Sequence, residues 1–431
     1  MKIAVVGLWH LGSVVAVCSA AAGHTVVGWD PDDTAVARLA EAVPPVAEPG
    51  VASLARAGLD VGALAFVTDR RTAVAGADVV WITFDTPVDD DDRADVEPVI
   101  AEVVDLYGDV DTGALIIVSS QLPLGTVARL EAAWNKVADR RRVSFACVPE
   151  NLRLGKAVDV FTNPDRIVAG VRSDHDRTRI QELFAPLTDR LVFMSVESAE
   201  MTKHAINAFL ATSVTFINEL ATLCEVWGAD AKEVERGLKS ERRIGPSAYL
   251  SPGAAFAGGT LARDVMALKT LAARAGRKTP LLDGVEASNR EHRHWTERRL
   301  VSELGSLAGK KIAIWGLTYK AGTDTLRRSM SVELCRWLID QGATVSVHDP
   351  EAQALPSDLG SAARFDSAID AAQSASALVI ATEWPEYRAV DADALAAAMP
   401  SGVVIDANRF LGSILGTDSR FRLLSVGQVH R

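Results

Sequence analysis

The chain has 431 residues, 48% hydrophobic and 23% charged, the balance of an ordinary soluble protein long enough for two to four domains. Its 56 acids outnumber its 45 bases, and the resulting net charge of −11 argues against a general nucleic-acid binder and against attraction to anionic membranes. Cys18, Cys147, Cys224 and Cys335 are scattered, with no CxxC and no metal-like His/Cys spacing, which predicts a reduced, cytoplasmic chain without a metal site.

In chain order, the first third alternates short apolar runs with Ala-rich helical stretches: KIAVVG, TVVGWD, DVVWITF, ALIIVSS and VSFACVPE. Such runs read as parallel strands buried on both faces, and their alternation with helices is the βαβ pattern of an open doubly wound sheet. Residues 11–23 carry no charge, but a Gly-containing turn precedes them and strand-like HTVVGWD follows, so they read as a buried helix rather than a signal segment. From Ser198 to Trp227 the sequence is apolar-periodic without Gly or Pro, which predicts one long helix able to connect two lobes or form a dimer seam. More helix is expected over 264–276 and 283–305, after a Gly-rich loop at 251–259. Past Gly309 the βα pattern returns in KKIAIWGLTYK, TVSVHDP, ALVIATEW and VVIDANRFL. No apolar run reads as long enough to span a bilayer. The expected architecture is α/β: two Rossmann-like doubly wound domains, 1–197 and 306–431, joined by a long central helix and a small helical domain, 198–305.

The opening turn, GLWHLG, has Gly7 and Gly12 where the first and last glycines of a dinucleotide-binding turn belong, with Trp9 in place of the middle one. Such a turn needs a tight strand-to-helix reversal, backbone amides of a helix N-terminus aimed at the pyrophosphate, and an acid at the end of the second strand for the ribose hydroxyls. Gly7 supplies the reversal, Gly12 the close packing of helix on strand, and the backbone of Trp9, His10 and Leu11 the amides, provided the indole turns away. Asp30 ends TVVGWD, 23 residues after Gly7, and an acid there favours NAD over NADP because it repels a 2′-phosphate.

Six later stretches, in this order and spacing, resemble the UDP-glucose/GDP-mannose dehydrogenase family over nearly the whole chain: DTPVDDDDRADVEPV (85–99), QLPLGT (121–126), PENLRLGKAVDVFTNPDRIVAG (149–170), AEMTKHAINAFLATSVTFINELA (199–221), RRIGPSAYLSPGAAFAGGTLARD (242–264) and GLTYKAGTDTLRRS (316–329). The resemblance implies an enzyme that oxidises the primary alcohol of a nucleotide sugar, through an aldehyde, to a carboxylate with two NAD. It implies a cationic Lys203 near the forming alkoxide, Asn207 one helical turn on, Asp264 holding the lysine or a water, and Glu150 at the same site. Read without the family, a solvated helix lysine is the weaker reading of Lys203, because the stretch around it is otherwise apolar, and Asp264 could cap the helix DVMALKTLAA as well as serve the site. By the same resemblance Thr86, Pro87 and Gln121 fall against the cofactor, and Leu152 and Arg153 beside the sugar. Tyr249, Leu250, Gly253 and Gly258 wrap the sugar diphosphate. Lys320 and Arg327 close over the nucleotide sugar from the C-terminal domain, Arg327 also toward the cofactor. Arg243 reaches into a neighbouring subunit's site in a homodimer, or else is a surface arginine beside Glu241.

The sequence also departs from the family. The nucleophilic cysteine of the family's Gly-Gly-Ser-Cys-Phe-Pro-Lys-Asp segment is Thr260 here, a far poorer nucleophile without an adjacent base. The second acid after Pro-Glu is Leu154, the threonine that precedes the Val-Pro-Val-Gly-Thr segment is Gln121, two loop glycines are Ala255 and Ala257, and Asp324-Thr325 replaces an Asp-Asp pair. Cys147 reads as a buried strand cysteine rather than a replacement nucleophile, and the run at 89–92 as a solvated loop rather than a metal site. Three readings stay open: a single hydride transfer giving a 6-aldehyde, a full oxidation to the acid through an aldehyde hydrate, and a non-catalytic nucleotide-sugar-binding regulator. UDP-glucose is the substrate that the resemblance implies.

Overall fold

The computed structural model describes residues 1–87, 94–137, 142–257, 259–399 and 401–428; the acidic run at 89–92 and Gly258 lie outside them. The chain divides into two compact units, 1–206 and 207–431.

The first unit is built on eight strands, β1 (Lys2–Val6), β2 (Thr25–Trp29), β3 (Leu64–Phe66), β4 (Val79–Ile82), β5 (Leu115–Val118), β6 (Ser144–Cys147), β7 (Ile167–Gly170) and β8 (Leu191–Met194), in the order β3-β2-β1-β4-β5-β6-β7-β8. Neighbours are parallel except β6 and β7, which meet antiparallel at Cys147 and Gly170. Ile3 and Val5 pack into one hydrophobic cluster while Ala4 and Val6 pack into another, so β1 is covered on both faces. That double burial is why the strand sequences are continuous apolar runs instead of alternating ones. Helix α1 (His10–Ala21) is buried from Gly12 to Ala20.

The second unit carries β9 (Lys311–Trp315), β10 (Thr344–His348), β11 (Ala363–Arg364), β12 (Ala377–Ile380), β13 (Val403–Ile405) and β14 (Arg422–Leu424), all parallel, in the order β11-β10-β9-β12-β13-β14. This repeats the strand order of β3-β2-β1-β4-β5-β6, and in both sheets the order reverses beside the first strand, the place where open α/β sheets bind ligands. The fold is thus the expected α/β pair of doubly wound sheets.

Three helices carry or border the residues of the candidate site: α2 (Thr126–Val137), α3 (Val196–Trp227) and α4 (Thr260–Arg274). The 32-residue α3 starts two residues before the apolar-periodic stretch and crosses the division between the units. By length and mean hydropathy (1.3 in its best window) it is long and apolar enough to cross a membrane, which corrects the expectation that no run reaches that length. Its buried Glu200, His204, Asn207 and Asn218 are bonded to protein groups, as in a core helix. Helix α4 begins at Thr260, four residues before the expected start, and α5 (Pro280–Arg293) and the helix Trp295–Leu304 divide the stretch expected over 283–305.

The second sheet repeats the first turn in detail. Gly316, like Gly7, has φ +92°, and Asp349 at the end of β10 accepts from Leu317 N at 2.6 Å, as Asp30 does from Leu8 N at 2.6 Å. Asp349 is 2% exposed and also accepts from the amides of Thr318, Glu351 and Ala352 and from Trp384 Nε1. Burial alone would raise its pKa, but these amides outweigh it and hold the carboxyl below the ordinary value. A depressed folded pKa means stabilisation that is complete above the unfolded value, near 4, and lost as pH falls through the folded one. Asp349→Ala strands several buried N–H groups and is expected to cost roughly 3 kcal/mol or more in urea unfolding at pH 7, a loss that shrinks below about pH 4. An unchanged urea midpoint at pH 7 would contradict this account.

Candidate active site

At the N-terminal turn, Gly7 N donates to Trp29 O at 2.9 Å, and a Cβ on Gly7 would lie 2.6 Å from Phe84 N. A Cβ on Gly12 would lie 1.7 Å from Gly7 O, so only glycine lets α1 sit this close to the strand. Trp9 is the N-cap residue of α1 and is 51% exposed, so the indole lies away from the backbone that a middle glycine would free. The first turn of α1 has neither a side-chain cap nor an acid. Its amide dipole is therefore available to an anion. The equivalent helix of the second sheet, α6 (Met330–Asp340), starts 14 residues after Gly316 and is capped by Ser329 Oγ at the amides of Ser331 and Val332. Only the first turn retains the anion-binding arrangement.

Asp30 is half-buried, its Oδ1 accepting from Asp32 N at 2.9 Å. His10 Nε2 lies 2.9 Å from Glu48, a carboxylate 1% exposed that also accepts from Gly155 N and Ala157 N. Glu48, which sequence reading passed over, ties the turn to the segment just after Arg153. Thr86 is buried, and its Oγ1 has no hydrogen-bond partner among the described residues, while Pro87 O accepts from Asp95 N. The uncapped helix, the two glycines without room for a Cβ, and Asp30 together fit a dinucleotide.

The lysine site forms within the same unit. Lys203 Nζ donates to Glu150 O at 2.7 Å and to Glu150 Oε1 at 3.0 Å, and Glu150 Oε2 accepts from Leu152 N at 2.8 Å. At 11% side-chain exposure Lys203 is not a solvated helix lysine. Two neighbours on α3 set its position: Glu200 accepts from Gly125 N and Val127 N at the start of α2, and His204 Nε2 lies 3.2 Å from Leu122 O. These contacts bring Gln121 and Lys203 to one cavity, which Ser120, Cys147, Glu150 and Glu200 also line and whose volume is about 20 Å³. Burial raises the Glu200 pKa. Burial, then the nearby Glu200, pushes the Cys147 thiol far above neutrality, the reverse of what a nucleophile needs. Cys147 is accordingly expected to resist iodoacetamide at pH 7 in the native protein and to react once it is unfolded; native labelling would reopen its candidacy. Arg153 is exposed and Leu154 half-buried.

In the second unit Asn207 Nδ2 donates to Asp264 Oδ2, and Asp264 is fully buried in the second turn of α4. Asp264 does not cap α4, because that helix starts at Thr260 behind the N-cap Gly259, whose φ is +103°. Thr260 is exposed at the first helical position. The loop before it borders a cavity of about 760 Å³, with Tyr249, Leu250 and Gly253 in its wall together with Lys239, Arg388 and Arg409. Four side chains missed in the sequence hold that loop: Asn218 accepts from Gly253 N, Asn289 bonds both Phe256 N and Phe256 O, His292 donates to Gly253 O, and Asn408 accepts from Ala254 N. A Cβ on Gly253 would lie 2.0 Å from Asn408 Oδ1, so a larger residue there would push the Asn408 amide off its bond with Ala254 N. Arg243 is 87% exposed and pairs with Glu241 at 3.1 Å. Lys320 and Arg327 lie exposed on the segment between β9 and α6.

The sequence matches three consecutive parts of the UDP-glucose/GDP-mannose dehydrogenase family: its NAD binding domain over residues 1–188, its central domain over 197–291 and its UDP binding domain over 313–413. A UDP-glucose 6-dehydrogenase of Rhizobium meliloti (strain 1021) is 35% identical over 441 residues, spanning 99% of this chain and 100% of the relative. One of Pseudomonas aeruginosa is 34% identical over 449 residues, spanning 99% and 98%. Among solved structures, a UDP-glucose dehydrogenase from the hyperthermophilic archaeon Pyrobaculum islandicum superposes with a TM-score of 0.86 at 30% identity, covering 94% of this chain and 93% of that one. Similarity along the whole chain, part by part and at this level of identity, makes the protein a member of the UDP-glucose/GDP-mannose dehydrogenase family, NAD-dependent oxidoreductases acting on a CH–OH group of a nucleotide sugar.

Proposed function

We propose that this enzyme oxidises the primary alcohol of a UDP-hexose, UDP-glucose in the first instance, and that its second oxidation is impaired, so that the 6-aldehyde accumulates. The observation that carries the reading is the pairing of a half-buried cation with a missing thiol. Lys203 is fixed by Glu150 at 3.0 Å, whereas residue 260 is a threonine and Cys147 is buried as a neutral thiol. UDP-glucose is favoured because the curated relatives matched along their full length are named as UDP-glucose 6-dehydrogenases.

In this reading Gly7, Gly12 and the α1 amides hold the cofactor's pyrophosphate and Asp30 its ribose. NAD supplies the oxidising power by accepting a hydride from the alcohol carbon. Lys203 Nζ stabilises negative charge as it develops on the alcohol oxygen, and the Glu150 carboxylate, turned by Leu152 N–H, fixes where that cation sits. Asn207 orients Asp264 beside the sugar. The sugar diphosphate lies along the 249–257 loop, with Lys320 and Arg327 over it.

The enzyme acts as a homodimer in a reduced, cytoplasmic setting. Phe209, Phe216 and Leu223 recur every seven residues along α3 at 69%, 47% and 54% exposure, an apolar stripe suited to a second copy. Sedimentation at micromolar concentration checks this, and a monomer would refute it.

The decisive assay is NADH formed per sugar over a panel of nucleotide hexoses, with and without an aldehyde trap. One NADH and a trapped aldehyde support the proposal. Two NADH and a uronic acid overturn the impaired second step. Binding without turnover on any sugar would favour a regulatory protein instead.

A further inference from the structure

We infer that the small cavity beneath Lys203 is the seat of a bound water, positioned by Ser120, that adds to the aldehyde to give its hydrate. The inference rests on the reading that an aldehyde forms at Lys203. It goes further by assigning a role to a residue that neither motif nor resemblance singled out.

Three observations carry it. First, the cavity measures about 20 Å³, just above what one water needs. Second, Ser120 lines it, is 8% exposed, and its Oγ has no hydrogen-bond partner among the described residues. A buried hydroxyl without a partner is destabilising, and one water would restore its bond. Its neighbour Ser119 is no rival for the role, because it is already satisfied: its Oγ donates to Val148 O at 2.5 Å and accepts from Trp81 Nε1 at 2.8 Å. Third, Glu150 and Lys203 line the same cavity 3.0 Å apart, so a base and an acid flank the water.

The chemistry balances without any further reagent. The water oxygen forms a bond to the aldehyde carbon, and the C=O π pair moves onto the carbonyl oxygen. That oxygen takes a proton from Lys203 Nζ, while the water's surplus proton passes to the Glu150 carboxylate. Proton return from Glu150 to Lys203 across their hydrogen bond resets the pair, and the net change is addition of one water to give the gem-diol. Ser120 touches the water and not the sugar, so it is a positioning residue.

The test supplies the aldehyde directly and omits the cofactor. Cofactor-free enzyme is mixed with a UDP-6-aldehydo-hexose in H₂¹⁸O, and ¹⁸O entry into the aldehyde is followed by mass spectrometry against buffer alone. Exchange faster than buffer is expected, with Ser120→Ala slower by roughly tenfold and Ser120→Thr, which keeps the hydroxyl, close to the native rate. A high-resolution crystal structure of the unaltered enzyme should show a water within hydrogen-bond distance of Ser120 Oγ, a readout independent of whether a variant folds. Exchange no faster than buffer, an alanine variant equal to the native protein, or no water beside Ser120 would each overturn the assignment. Because no alcohol is oxidised here, failure of this assay leaves the NADH stoichiometry intact; conversely, exchange without NADH formation from any alcohol sinks the dehydrogenase reading alone.

Discussion

Lys203→Ala is expected to lower kcat for nucleotide-sugar oxidation by about 10²–10³-fold, the typical loss when one preorganised donor to a developing oxyanion is removed. The side chain is 11% exposed, and its ammonium makes two hydrogen bonds to Glu150, so it meets the substrate oxygen already oriented and partly desolvated. KM should move far less than kcat, because the interaction strengthens only as charge builds on the alcohol oxygen. The fold should survive: Glu150 retains its bond from Leu152 N and is 20% exposed, so its carboxylate is left in partial contact with solvent. A circular dichroism melt separates the two effects. A Lys203→Ala enzyme that keeps more than a tenth of its kcat would remove this residue from the chemistry.

Thr260→Cys is expected to change the product. Thr260 is exposed at the first position of the 15-residue helix α4, behind an N-cap glycine that offers no side-chain bond. A thiol there faces the positive end of the helix dipole, the setting that lowers a thiol pKa, whereas Cys147 lies where burial and Glu200 raise it. The new cysteine should attack the aldehyde carbon and allow the second oxidation through a thioester, taking NADH per sugar from one toward two. It should also confer iodoacetamide sensitivity on turnover. Both outcomes are measurable on one preparation, and the exposed position makes the substitution mild for stability. A cysteine variant that still releases one NADH and an aldehyde would show that position 260 does not govern the second step.

The strands most legible in the sequence are those buried on both faces. KIAVV, VVWI and LIIV lie at the centre of the first sheet, where burial on both sides enforces unbroken apolar runs. Strands β3, β11 and β14, of three, two and three residues, sit at or near sheet edges and carry no such run. Asp264 reads as a cap because Asp precedes an apolar periodic stretch. The helix nevertheless starts at Thr260, since Gly259 adopts a positive φ that allows the earlier reversal.

Local pattern sufficed for the βα repeats, the glycine turn with Asp30, and the motif order that marks the family, because each depends on neighbours within a few turns of chain. The pairings that shape the candidate site do not. Glu48 bonds a segment 109 residues away, Glu200 one 75 residues away, and Lys203 meets Glu150 across 53 residues, while Asn218, Asn289 and Asn408 hold their loop from three separate elements. A buried polar side chain must find its partner wherever packing brings one, and that choice is made between elements distant in sequence, so it leaves no periodic trace in the chain.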